Sequence, residues 1–81
     1  MEITGIKEML TYLVANLVDE PEAIQVNVLE NGNSITLQLR VAADDMGRVI
    51  GRQGRIAKEI RTLIKAMGLR DDKRVMVDIL D

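Results

Sequence analysis

Val49-Ile50-Gly51-Arg52-Gln53-Gly54-Arg55-Ile56 is the stretch on which the reading of this chain turns. Its two glycines stand three residues apart, with Arg48, Arg52 and Arg55 around them. Glycine tolerates positive φ and carries no Cβ, so a backbone built this way turns tightly and lets another backbone approach closely. The residues after Gly54 have helical spacing. The first N–H groups of that helix lack intrahelical partners and point back at the loop. The helix dipole adds to this and favours an anion there. A G-x-x-G loop between two helices, flanked by arginine, is therefore a phosphate clamp in outline.

Downstream, Ile56, Ala57, Ile60, Leu63, Ile64 and Met67 form an apolar stripe, with Arg55, Lys58, Thr62 and Lys65 on the other face and Gly68 as the expected C-terminal stop. Upstream, Met46, Val49 and Ile50 give a short helix that Asp44 or Asp45 is placed to cap. At the amino end, Ile6, Met9, Leu10, Leu13, Val14 and Leu17 mark one helix face. That helix should end near Val18, because Asp19-Glu20-Pro21 follows and the residue before proline disfavours helix. Ile24, Val26 and Val28 alternate with polar residues, as do Ile35, Leu37, Leu39 and Val41, which predicts a hairpin. Asn31-Gly32 signals its turn, and Asn33-Ser34 suggests a loop longer than two residues. After a polar connection from Leu69 to Lys73, Val75, Val77 and Ile79 predict a last strand. The order is α-β-β-α-α-β, an α+β domain spanning 1–81. The last two strands, joined through helices, should run parallel with a right-handed crossover. Three helices then cover one face of a three-stranded mixed sheet.

Composition narrows the function. The chain has no cysteine and no histidine, which removes disulfides, thiolate chemistry and the usual soft metal sites. No apolar run approaches the roughly 20 residues needed to cross a bilayer. The first apolar segment is amphipathic and acidic at both ends, which does not suit a secretion signal. The single aromatic, Tyr12, falls on the polar side of the first helix, so base stacking on an aromatic sheet is not on offer. The net charge of −2 argues at first sight against nucleic acid. Its distribution argues the other way. Lys7 alone opposes six acids between Met1 and Leu39, whereas Arg48, Arg52, Arg55, Lys58, Arg61 and Lys65 face only Glu59. Salt screens beyond about 8–10 Å, so the basic segment acts locally. Arg61 and Lys65 also have a plain reading as a solvated helix face.

The element order, together with V-I-G-R-Q-G-R between the second and third helices, resembles the K-homology (KH) domain in its type II arrangement. The stretch D-M-G-R-V-I-G-R-Q-G-R-I-A-K is similar to the KhpA family of small bacterial single-KH proteins. The resemblance implies single-stranded RNA binding in which Gly51, Arg52, Gln53 and Gly54 grip the sugar-phosphate chain and about four nucleotides occupy the adjoining groove. It implies further charge from Arg48, Arg55 and Lys58. Val49 and Ile50 either line the apolar groove wall or belong to the core. It also implies a cytoplasmic RNA chaperone or post-transcriptional regulator, and pairing with itself or with a larger Jag-like KH protein (KhpB); from the residue content, no cofactor or metal is expected. Many KH domains carry a bulky aliphatic where this chain has Ala57. If Ala57 and Ile60 point inward, Ile56 sits either at an exposed rim that favours association or in the core.

Two other functions stand against RNA binding. In a protein-interaction adaptor the glycine loop would be purely structural, which leaves its ring of arginines without a purpose. A nucleotide-directed enzyme lacks the longer phosphate-binding signature ending in Lys-Ser/Thr. It also lacks histidine or cysteine for acid–base or nucleophilic work. Asp44-Asp45 as a divalent-ion site is a weaker reading than a helix cap.

Overall fold

The computed structural model describes residues 3–80, with side chains from Gly5 onward. Residues 1, 2 and 81 of the expected 1–81 domain, Glu2 of the acidic count among them, lie outside the described residues. The elements are α1 (Ile3–Ala15), β1 (Gln25–Asn31), β2 (Ser34–Arg40), α2 (Met46–Ile50), α3 (Arg55–Leu69) and β3 (Arg74–Ile79), with single 3-10 turns at Pro21–Ala23 and Ala43–Asp45. This is the type II KH-like α+β arrangement that the sequence predicts.

β2 is the central strand. It pairs antiparallel with β1, matching Val26 to Leu39 and Val28 to Leu37. It pairs parallel with β3, matching Ile35 to Val75 and Leu37 to Val77. Alternation puts Ile35, Leu37, Leu39, Val75 and Val77 on one face, and all are buried there. Ile6, Leu10 and Val14 of α1, Val49 of α2, and Ile60, Ile64 and Met67 of α3 close over that face as one core. Burying a side chain of this size contributes about 1.5–3 kcal/mol, so the two periodicities together specify the layers.

Four local expectations are corrected. Asn31 pairs with Ser34, so the hairpin loop is only Gly32-Asn33. α1 stops at Ala15 rather than near Val18: its end tightens, with Leu17 N donating to Val14 O at 2.9 Å. Val18 N also donates to Val14 O, at 3.2 Å. Just beyond, Asp19 and Glu20 donate their backbone N–H groups to the Asp45 carboxylate, each at 3.1 Å, which ties the connector to the start of α2. Asp45 therefore makes no capping bond to α2, the third departure. Lastly, Gly68 does not end α3. The helix runs on to Leu69, and Gly68 lets β3 press against it, because a Cβ there would lie 2.3 Å from Val75 Cγ2.

Candidate nucleic-acid interface

The loop from Gly51 to Gly54 joins α2 to α3 through three unusual backbone conformations in four residues. Gly51 has φ 77 and ψ 174, a region essentially closed to residues with a Cβ. Its N–H closes α2 by donating to Gly47 O at 2.9 Å. Gln53 (φ 57, ψ 27) and Gly54 (φ 75, ψ 12) are both left-handed. For Gln53 that costs about 1–2 kcal/mol, which the surrounding fold must hold in place. The two glycines differ in their surroundings. A Cβ on Gly51 would meet Ile56 Cγ1 at 2.6 Å and Ile56 N at 2.9 Å, whereas a Cβ on Gly54 would enter open space. Ile56 thus rests directly on Gly51 and sets the distance between loop and helix.

The loop presents Arg52 and Gln53 to solvent, with Arg55 and Lys58 exposed on the first turn of α3. That turn carries no acidic residue and no side-chain cap. Its N–H groups and its dipole therefore face the loop without an internal anion.

Two expected contributors are placed differently. Val49 is fully buried in the core, while Ile50 is half-buried next to the loop. Of the pair, only Ile50 is partly exposed. Arg48 is exposed but engaged: its guanidinium meets Asp45 Oδ1 at 2.9 Å and Asp19 Oδ2 at 3.0 Å. Asp45 is buried. The Asp19 backbone N–H, with help from that of Glu20 and from Arg48, holds its carboxyl below the usual aspartate value against the opposing effect of burial. This cluster ties α2, and with it the start of the glycine loop, to the α1–β1 connector. Sequence reasoning missed it because the residues that Asp45 holds lie 25 and 26 positions upstream.

A groove runs along α3, walled by Lys58, Arg61, Thr62 and Lys65 and floored by the Val75–Asp78 segment of β3. β3 is an edge strand. Arg74 N donates to Asn33 O and Leu80 N to Leu39 O, so the even-numbered residues bond toward β2. The amides and carbonyls of Val75, Val77 and Ile79 consequently face the groove. One is occupied: Arg61 Nε donates to Val77 O at 3.1 Å. The groove thus offers positive charge along one wall and main-chain donors and acceptors along the other. The predicted hairpin and parallel pairing imply an outer last strand, but no motif marks its edge as the floor of a groove. The spacing of Lys58, Arg61 and Lys65 along α3 was its one visible sign.

A glycine-clamped loop between two helices that pack on a three-stranded mixed sheet defines a KH-type domain. The chain matches the family described as KhpA/KhpB, KH domain, over residues 7–79, and it belongs to that family. It is 49% identical over 73 residues to the RNA-binding protein KhpA of Caldanaerobacter subterraneus subsp. tengcongensis, covering 90% of this chain and 97% of that one. Against RNA-binding protein KhpA of Clostridium acetobutylicum the identity is 50% over 74 residues, covering 91% and 99%. Among solved structures, a variant of Aquifex aeolicus Era bound to GDP.AlF4- superposes with a TM-score of 0.61 at 21% identity, over 91% of this chain and 29% of that one. That last likeness is one of fold.

Proposed function

We propose that this protein is a non-catalytic single-stranded RNA-binding protein that acts in the cytoplasm as an RNA chaperone or post-transcriptional regulator. Gly51, Arg52, Gln53 and Gly54 grip the sugar-phosphate backbone. The observation that carries the reading is the conformation of that loop. Its left-handed turn projects Arg52 and Gln53 outward at the uncapped start of α3. Phosphate approaches closely because Gly54 has no side chain and open space beside it. Arg55 and Lys58 add charge that contributes affinity without reading sequence. Arg48, paired with Asp45 and Asp19, acts by holding the start of the loop in place rather than by adding charge. Bases turn away from the phosphates, past the half-buried Ile50 and toward the groove between α3 and the β3 edge.

A domain of this size contacts few nucleotides, so two linked copies gain avidity. Tyr12, Leu13, Leu17, Ile56 and Leu63 form an apolar groove between α1 and α3, away from β3. Tyr12 and Leu63, 65% and 45% exposed, adjoin one another in this groove and offer a contiguous apolar surface. We propose a second KH copy, of this chain or of a larger Jag-like relative (KhpB), as its occupant.

Fluorescence anisotropy with labelled single-stranded RNA tests the central reading. Wild-type protein should bind with an affinity that falls as salt rises. Gly54→Asp should remain folded and bind at least about tenfold more weakly, since it sets a carboxylate where a phosphate must sit. Equal binding by both proteins, or none by the wild type, would favour an adaptor with a structural loop.

A further inference from the structure

We infer that Arg61 is a specificity-determining residue that selects guanine in the groove between α3 and β3. The inference rests on the RNA-binding reading and deepens it. Arg61 is exposed on α3, yet its side chain is held: Nε donates to Val77 O at 3.1 Å across the groove. Among the described residues it has no other hydrogen-bond or ion-pair partner.

That single bond has two consequences. It fixes the plane of the guanidinium, whose five N–H donors form a rigid fork. It also uses the side-on donor, so the two terminal amino groups are the ones left to face a ligand. An arginine presenting its two ends in a fixed plane matches the O6/N7 pair of guanine, the commonest specific base contact made by arginine. Adenine presents a donor at the position of O6 and is repelled there. Pyrimidines lack N7.

Location separates a base contact from a phosphate contact. The backbone clamp lies at the start of α3, and Arg61 stands seven residues beyond Gly54, about 10 Å along the helix axis. Its head lies against the groove floor at the strand edge, where the RNA-binding reading puts the bases, while Lys58 and Lys65 stand along the helix wall. A phosphate-binding arginine has no need of an anchor on the strand. An arginine that reads a base gains from one, because the held plane is what discriminates.

The test uses short labelled oligouridine RNAs carrying one central guanine, adenine or cytosine, with wild type, Arg61→Lys, Arg61→Gln and a Lys65→Gln control. Each protein is first checked for an unchanged circular dichroism spectrum and thermal midpoint. Wild type should bind the guanine RNA about tenfold tighter than the adenine RNA. Arg61→Lys keeps the charge but loses the fork, so its preference should fall below about twofold while the adenine RNA binds nearly as before. Lys65→Gln should weaken all three RNAs alike and keep the preference. A wild type that binds without preferring guanine, a preference that survives in both Arg61 variants, or an equal loss on all three RNAs in Arg61→Lys would overturn the assignment. In each case RNA binding itself stands. A wild type that binds none of the RNAs would overturn the RNA-binding reading as well.

Discussion

Gly51 and Gly54 serve different ends, although the sequence presents them as a matched pair. Gly51 is required by the fold: its conformation excludes a Cβ and Ile56 fills the space one would need. Gly51→Ala should cost about 2–5 kcal/mol in chemical denaturation. Gly54→Ala, in a left-handed conformation with open space, should cost only about 1 kcal/mol. Two equal losses would mean that Ile56 does not hold the loop in this way. Asp45 makes a second prediction at this scale. Because its folded-state value is lowered, its stabilisation is fully present above the ordinary value of 3.8 and is lost as pH falls below it. The stability difference between wild type and Asp45→Asn should therefore be constant near neutrality and shrink in acid. A difference that holds steady down to about pH 2 would remove the carboxylate from the account. The glycines were legible because their spacing is local. Asp45 was misread because a cap is the local use of an aspartate before a helix, and its real partners are distant in sequence.

Periodicity named every helix and strand, and the errors fell at their ends. Apolar spacing reports which face is buried, so Ile60, Ile64 and Met67 on α3 and Ile35, Leu37 and Leu39 on β2 were readable. Ends involve tertiary contacts, as with the connector amides held by Asp45, or close packing, as at Gly68. A glycine near a helix terminus reads as a stop. Here it is a contact point, with Val75 lying against the place a Cβ would occupy. Gly68→Ala should therefore destabilise by about 1–3 kcal/mol, measured by thermal or urea unfolding, despite the better helix propensity of alanine. A stabilised variant would mean that α3 and β3 separate easily there. The outer place of β3 followed from the hairpin and the parallel crossover, but the groove at its edge depends on how α3 packs beside it.

At the scale of the molecule, the helices divide the surface into functional sides. The basic side of α3 faces the groove against β3, and the apolar side faces α1. Leu63 belongs to the apolar side and lies away from the loop, so Leu63→Asp separates association from RNA contact more cleanly than a change at Ile56, which also supports Gly51. In analytical ultracentrifugation the wild type should sediment as a dimer and Leu63→Asp as a folded monomer. A wild type that stays monomeric at high concentration would dismiss that surface as an interface. If RNA lies along the glycine loop and the β3 edge, an amide chemical-shift titration with single-stranded RNA will register both regions at once. The amides of Gly51 to Lys58 and of Val75, Val77 and Ile79 should shift together, leaving Asn27 and Gln38 on the far face of the sheet unmoved. Shifts confined to the α1–α3 surface, with the loop silent, would contradict the account.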